Sequence, residues 1–194
     1  FLISIYWLYE RTREQWLLDL AVKLHAQGFD WPAFFERWPL DQPTEKGRWN
    51  FAGHIVNNAM AVKAGALWWR VSGADADRNA PGAMIAALAR CHGMPTGVFT
   101  GDECLAGLSA SQGTELCAVV EYMYALEWLT GLLGDPACAD RLELIAFNAL
   151  PATFSPDWWA HQYVQQVNQV ECSIRENRLW NTNGPDANIY GLEP

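Results

Sequence analysis

The chain has 194 residues, of which 51% are hydrophobic and 18% are charged, and its formal net charge is −9. This balance is typical of one globular domain, and without a run of 18 apolar residues we expect no membrane partner. The negative charge and the scattered basic residues argue against a nucleic-acid partner. Eleven Trp residues suit core packing or a neutral sugar substrate, since flat aromatic faces fit the apolar faces of sugar rings.

The hydrophobic spacing predicts five long helices, which occupy residues 6–27, 53–71, 78–92, 114–133 and 136–150. Gly28 closes the first helix, and Asp30 caps a short helical turn that follows it. Asp135 and Pro136 have the residue types of an N-cap and a first helical residue. Pro39, Gln42, Pro43 and Gly47 mark a loop, and we predict a short strand over residues 162–170 and a turn-rich loop over residues 180–194.

Long helices joined by short turns that contain glycine favour antiparallel hairpins packed side by side. We therefore predict an all-α fold, an α/α toroid or solenoid, as a single domain over residues 1–194. The chain opens at Phe1 and stops at Pro194 directly after a loop, so we expect it to be part of a longer domain, truncated at both ends.

The cysteines are five in number and lack the dense spacing of a small secreted scaffold. No signal peptide is visible, so the sequence predicts a reducing compartment and a cytoplasmic location. The five cysteines are Cys91, Cys104, Cys117, Cys138 and Cys172.

The segment from Thr100 to Trp128 is the first candidate for a site. It gathers acids and thiols on a glycine-rich loop that runs into an apolar helix, and carboxylates resist burial unless they are paired or bound to metal. The residues concerned are Asp102, Glu103, Cys104, Glu115 and Cys117.

Glu115 and Cys117 have the carboxylate and thiolate donors that bind zinc. Two residues apart they point in nearly opposite directions on a helix, so both reach one ion only if the backbone is irregular there, which Gly113 permits. In the alternative interpretation Cys117 is a buried helix residue and Glu115 is an acid of the first helical turn.

Glu103 lies in the loop, where a carboxylic acid between apolar neighbours could serve as a general acid, or is simply solvated. Three histidines, His54, His92 and His161, are candidates for substrate contacts, with capping or core roles as alternatives. Ser109 and Ser111 have no base at a recognisable spacing, so a serine hydrolase is weakly supported.

Three stretches together resemble the bacterial β-L-arabinofuranosidase family, glycoside hydrolase family 127, and its relatives. They read GHIVNNAMAVKAGALWW, GDECLAGLSASQGTELCAVVEYMYALEWL and ADRLELIAFNALPATFSPDWWAHQYVQQVNQV. The resemblance implies an (α/α)6 barrel and hydrolysis with retention, in which a zinc-bound cysteine thiolate is the nucleophile and a glutamic acid is the acid/base.

The resemblance also implies roles for individual residues. It places the zinc motif on Glu115 and Cys117, the acid/base on Glu103, and sugar contacts on His54 and Tyr163. The remaining zinc ligands, a Cys-Cys pair that includes the nucleophile, would lie beyond the end of this chain. We therefore expect zinc in the full-length protein and little or none in this chain, and we expect the isolated chain to form homo-oligomers, because part of a barrel leaves helix faces uncovered.

Three functions stay open at this point. The first is a retaining glycosidase with a zinc-thiolate mechanism. The second is a glycosidase that uses two carboxylates, Glu103 with Asp102 or Glu115. The third is a non-catalytic helical module that binds carbohydrate or packs against a partner.

Overall fold

The computed structural model describes residues 1–37, 50–169 and 192–193. In these residues the chain forms eight α-helices, so the predicted all-α class is confirmed. The helices are α1 (Leu2–Thr12), α2 (Gln15–Gln27), α3 (Trp31–Arg37), α4 (Ile55–Ala61), α5 (Ala64–Ser72), α6 (Asp75–His92), α7 (Leu116–Leu133) and α8 (Pro136–Phe147). The loop predicted from Pro39 to Gly47 lies outside the described residues.

The first predicted helix is wrong in one respect, because it is two helices. Arg13 adopts a left-handed conformation with φ 60° and ψ 21°, and its N–H donates to the Tyr9 carbonyl, which ends α1. The chain then turns, and Tyr6 of α1 and Leu17 of α2 are buried in one apolar cluster with Leu67 of α5. The break thus lets both helices bury their apolar faces, which a straight helix over residues 6–27 would not allow.

The second predicted helix is also interrupted, between α4 and α5. Val62 and Lys63 stay near helical dihedrals without belonging to either helix. Lys63 is 8% exposed, and its ammonium lies 3.9 Å from Glu121 of α7 and 5.3 Å from the centre of the Tyr124 ring. A lysine is seldom so buried without partners.

The remaining helices follow the prediction with shifted ends. α6 begins at Asp75, three residues before the predicted start, after Gly73 in the left-handed conformation. α8 ends at Phe147 rather than at residue 150, and Asp135 caps it as predicted, its carboxylate accepting the Ala137 N–H at 3.0 Å.

The larger core is centred on α7, which contacts α4, α5 and α8. Val119, Tyr122, Leu126 and Leu129 of α7 are almost completely buried in it. By length and composition α7 could cross a bilayer, with a mean hydropathy of 1.3 over its 18 residues. A third of this window is buried inside the described part of the chain, and core helices and membrane spans share such a composition.

The described residues also form four short strands. They are β1 (Gly113–Glu115), β2 (His161–Gln162), β3 (Val164–Gln166) and β4 (Leu192–Glu193). β1 pairs with β3 and β2 with β4, both antiparallel. The single strand predicted over 162–170 is therefore two strands. The loop predicted over 180–194 contains β4, and its other residues lie outside the described part of the chain.

Candidate active site

The loop that carries Glu103 is fixed by its glycines. The Gly101 N–H donates to the Gly113 carbonyl at 2.7 Å, and the Glu115 N–H donates to the Gly101 carbonyl at 2.9 Å. A Cβ at Gly101 would lie 2.8 Å from the Cβ of Ile55 and 2.8 Å from the Cys104 carbonyl oxygen, which is closer than real Cβ atoms approach other atoms. Only glycine lets the loop lie against both α4 and β1.

The start of α4 pairs with the same loop. His54 and Cys104 form an antiparallel bridge, and the Ile55 N–H donates to the Glu103 carbonyl at 2.8 Å. The His54 Nε2 lies 3.2 Å from Oε2 of Glu103, with 17% and 33% of the two side chains exposed. Glu103 is therefore held by its backbone and by an imidazole while solvent still reaches its carboxyl.

The Glu115 carboxylate lies within 4.8 Å of the ligand atoms of His54 and Glu103. Glu115 ends β1 in an extended conformation and is also the residue before the first turn of α7, so the backbone changes from strand to helix between Glu115 and Cys117. This is the irregular backbone that the Glu-x-Cys spacing requires, so Glu115 is not an acid of the first helical turn. The side chain of Cys117 is exposed, which removes the alternative of a buried helix cysteine.

The environment of Glu115 disfavours its charge. The side chain is 3% exposed, its Oε1 accepts a hydrogen bond from the Tyr163 hydroxyl, and its buried Oε2 has no hydrogen-bond partner among the described residues. Burial raises the pKa of the Glu115 carboxyl, and the Glu103 carboxylate raises it further, against the hydrogen bond from Tyr163. A buried carboxylate oxygen without a donor is the arrangement expected where a proton or a cation completes a site.

The two thiols near this loop are in environments that disfavour the thiolate. The Cys117 side chain is exposed as a whole, but the atoms packed beside its sulfur partly desolvate the thiol and raise its pKa, and the carboxylate of Glu115 adds to the effect against the hydrogen bond to Tyr163. Burial also raises the pKa of Cys104, and Glu103, Asp102 and Glu115 lie near enough to raise it further. A bound cation would reverse this balance, because a coordinating thiol is deprotonated.

The side chains at this site are of the types that bind a zinc ion. His54, Glu103 and Glu115 each bring one ligand atom within 4.8 Å of the others, and an imidazole nitrogen and carboxylate oxygens are zinc donors. Cys117 is not a member of this cluster, and it is linked to Glu115 through the Tyr163 hydroxyl. The unpartnered Oε2 of Glu115 supports this fit.

His92 and His161 lie elsewhere. His92 is completely buried, and its Nδ1 accepts the Gly107 N–H at 2.9 Å, so it anchors the glycine-rich loop and offers no surface to a sugar. His161 is half-buried in β2, where it pairs with β4 and lies near the Phe154 ring. The predicted substrate contact of His92 is thus replaced by a structural role, and that of His161 stays a prediction.

Comparison with known proteins gives one family and one fold. A model of the β-L-arabinofuranosidase GH127 catalytic domain matches residues 2–183. The chain belongs to this family. A solved structure titled "Glycoside hydrolase" is similar with a TM-score of 0.64 at 14% identity, over 95% of this chain and 33% of that one. No curated protein sequence matches the chain.

Membership of the GH127 family confirms the resemblance found in the sequence, and the structural similarity supports the helical fold. The chain spans about a third of the similar solved structure. The residues that the resemblance singled out lie together in the described part: His54 contacts Glu103, and Tyr163 contacts both Glu115 and Cys117. The role of Gly101 was not predicted from the sequence, although the many glycines in residues 93–113 indicated that this loop needs them.

Proposed function

We propose that this chain carries the acid/base residue, part of the metal site and part of the sugar pocket of a retaining glycoside hydrolase that acts on β-L-arabinofuranosides or related neutral glycosides. The observation that carries the proposal is the convergence of His54, Glu103 and Glu115, whose ligand atoms lie within 4.8 Å of one another. Family membership supports the substrate class, and the net charge of −9 suits a neutral substrate.

Glu103 is the acid/base in this proposal. About a third of its side chain is exposed, so a glycosidic oxygen can reach it, and His54 fixes the direction of its carboxyl. Glu103 protonates the leaving oxygen in the first step and removes a proton from water in the second, as retention requires.

Glu115 and Cys117 are the residues of this chain that would hold zinc, with His54 and Glu103 near enough to interact with the same ion. When bound, zinc would supply positive charge that favours thiolates over thiols. The proposed roles of this chain's residues are to bind the cation, to orient the sugar through His54, and to transfer the proton at Glu103.

A second mechanism has its own support in the geometry. Carboxylate oxygens of Glu103 and Glu115 lie within 4.8 Å, close to the separation of about 5 Å at which retaining enzymes hold an acid/base and a carboxylate nucleophile. In that mechanism Glu115 attacks the anomeric carbon and the thiols are incidental. Two features disfavour this role: the hydrogen bond from Tyr163 occupies a lone pair of the carboxylate, and the raised pKa of Glu115 leaves less of the carboxyl ionised.

The test is the turnover of an aryl β-L-arabinofuranoside by the full-length protein. Nuclear magnetic resonance identifies which anomer of the sugar is formed first. Retention supports the proposal, and inversion overturns it. A fluorinated substrate that accumulates the covalent intermediate, followed by peptide mapping, separates the two mechanisms: attachment to a cysteine sulfur supports the thiolate, and attachment to Glu115 supports the two-carboxylate alternative. Sugar binding without turnover would support the non-catalytic module.

A further inference from the structure

We infer that Tyr163 is a positioning residue that orients the side chains of Glu115 and Cys117 toward one cation. The inference rests on the proposed function, in which both residues hold zinc. The resemblance of the sequence suggested a different role for Tyr163, a direct contact with the sugar. The contacts of its hydroxyl point to the metal-binding side chains instead.

The backbone places Tyr163 beside the two residues independently of its side chain. Glu115 is the register partner of Val164 in the β1–β3 pair, and the Leu116 N–H donates to the Tyr163 carbonyl at 2.8 Å. Tyr163 is therefore tied to the point where β1 becomes α7. A side chain anchored there lies next to residues 115 and 117 wherever the strand pair is intact.

A single hydroxyl contacts both side chains. The Tyr163 O–H donates to Oε1 of Glu115, and its oxygen lies 3.8 Å from Sγ of Cys117, whose S–H donates to it. Two polar atoms that contact one oxygen must themselves lie close together. The strand-to-helix change lets both side chains face one place, which a regular helix would not allow, and the hydroxyl then holds them there.

The hydrogen bond also selects which oxygen of Glu115 is offered to an ion. Oε1 is occupied by Tyr163, so Oε2, which is buried and has no hydrogen-bond partner among the described residues, is the oxygen available for coordination. Outer residues that orient metal ligands in this way typically contribute a factor of about 10 to 100 to metal affinity. When Cys117 gives up its proton to bind a cation, the Tyr163 O–H keeps its own hydrogen and stays on Glu115.

The experiment measures cobalt(II) and zinc(II) binding by the full-length protein and compares Tyr163→Phe with the unchanged sequence. Tyr124→Phe is the matched control, because it removes a hydroxyl from α7 at a residue 41% exposed and outside the site. We expect Tyr163→Phe to weaken zinc binding about 10- to 100-fold in competition with a chelator, and Tyr124→Phe to leave it unchanged. The thiolate-to-cobalt absorption band should weaken relative to the d–d bands, because the sulfur of Cys117 is no longer turned toward the ion.

Glu115→Gln and Cys117→Ser separate the possible failures. If these two variants lose metal affinity but Tyr163→Phe does not, the positioning role is wrong and the zinc proposal stands. If none of the three changes the affinity, or the unchanged protein shows no thiolate band, the zinc site is wrong and the role of Tyr163 falls with it. A Tyr163→Phe protein with full metal affinity but a raised KM would assign Tyr163 to the sugar. Circular dichroism and the unfolding midpoint confirm that each variant is folded.

Discussion

The imidazole of His54 contacts the carboxyl of Glu103, which lies 49 positions later in the sequence, with 3.2 Å between Nε2 and Oε2. The contact depends on backbone pairing, because the Ile55 N–H binds the Glu103 carbonyl and His54 bridges to Cys104. The backbone pairing therefore places the two side chains next to each other at the start of α4, and the imidazole then orients the carboxyl.

The first prediction concerns Glu103→Gln in the catalytically active protein. The amide cannot donate a proton to the leaving group, so turnover of alkyl glycosides should fall by a factor of about 100 or more while KM changes little. Substrates with very acidic leaving groups need less protonation and should be affected less. Glu143→Gln, at an exposed acid of α8, is the control and should leave turnover unchanged. Equal losses on both kinds of substrate would assign Glu103 a structural role.

Much of this arrangement follows from local sequence, and the rest follows from long-range pairing. The ends of α7 and α8 were predictable because Gly134, Asp135 and Pro136 are strong local signals. The break at Arg13 was not, since no glycine or proline marks it. There the burial of Tyr6 and Leu17 in one cluster outweighs the continuous helical pattern.

The candidate site divides in the same way. Glu115, Cys117 and Glu103 were found from their residue types and from the resemblance to a family. Their geometry was not, because the contacts of His54 with Glu103 and of Tyr163 with Glu115 join residues 49 and 48 positions apart. His92 shows the converse: its residue type suggested a ligand, and its complete burial shows a core residue.

The second prediction tests the break between α1 and α2. A β-branched residue is strongly disfavoured in the left-handed conformation of Arg13, so Arg13→Val should lower the free energy of unfolding by about 1–2 kcal/mol. Arg13→Gly should be neutral or slightly stabilising, because glycine adopts this conformation without strain. Glu14→Val is the control, since Glu14 is extended and exposed, and it should change the free energy by less than about 0.5 kcal/mol. Equal effects of valine at both positions in chemical denaturation would contradict the break.

The third prediction compares two glycines. Gly101→Ala places a methyl group 2.8 Å from Ile55 and from the Cys104 carbonyl, so the loop that carries Glu103 must move. We expect the free energy of unfolding to fall by about 1–3 kcal/mol. Turnover should fall by more than the unfolded fraction explains, because displacement by about 1 Å misaligns the acid/base.

Gly82→Ala is the matched change in α6, where the added methyl meets no atom within 4 Å. It should stabilise the chain by about 0.4–1 kcal/mol, because alanine reduces the entropy of the unfolded chain and favours helix. Thermal unfolding and turnover of the two variants give the comparison. Normal turnover in Gly101→Ala would show that the close approach to α4 is not needed for the site.

The last prediction concerns pH and the buried lysine between α4 and α5. Burial lowers the pKa of Lys63 below its usual 10.5, and the carboxylate of Glu121 offsets only part of that effect. The unfolded chain therefore binds more protons than the folded chain in the window just below pH 10.5, and the free energy of unfolding gains a contribution that rises with pH there. Below that window the charged lysine costs stability.

Lys63→Met keeps most of the side-chain volume and removes the charge. We expect the variant to be more stable than the unchanged protein at pH 7, and the difference to shrink as the pH rises and the folded lysine loses its proton before the unfolded one does. Lys23→Met, at an exposed position of α2, should show no such dependence. Glu121→Gln should destabilise the chain at pH 7, because it removes the nearest carboxylate from the ammonium. A difference between Lys63→Met and the unchanged protein that stays constant from pH 7 to 10, measured by denaturant titration, would mean that Lys63 is not desolvated in the folded chain.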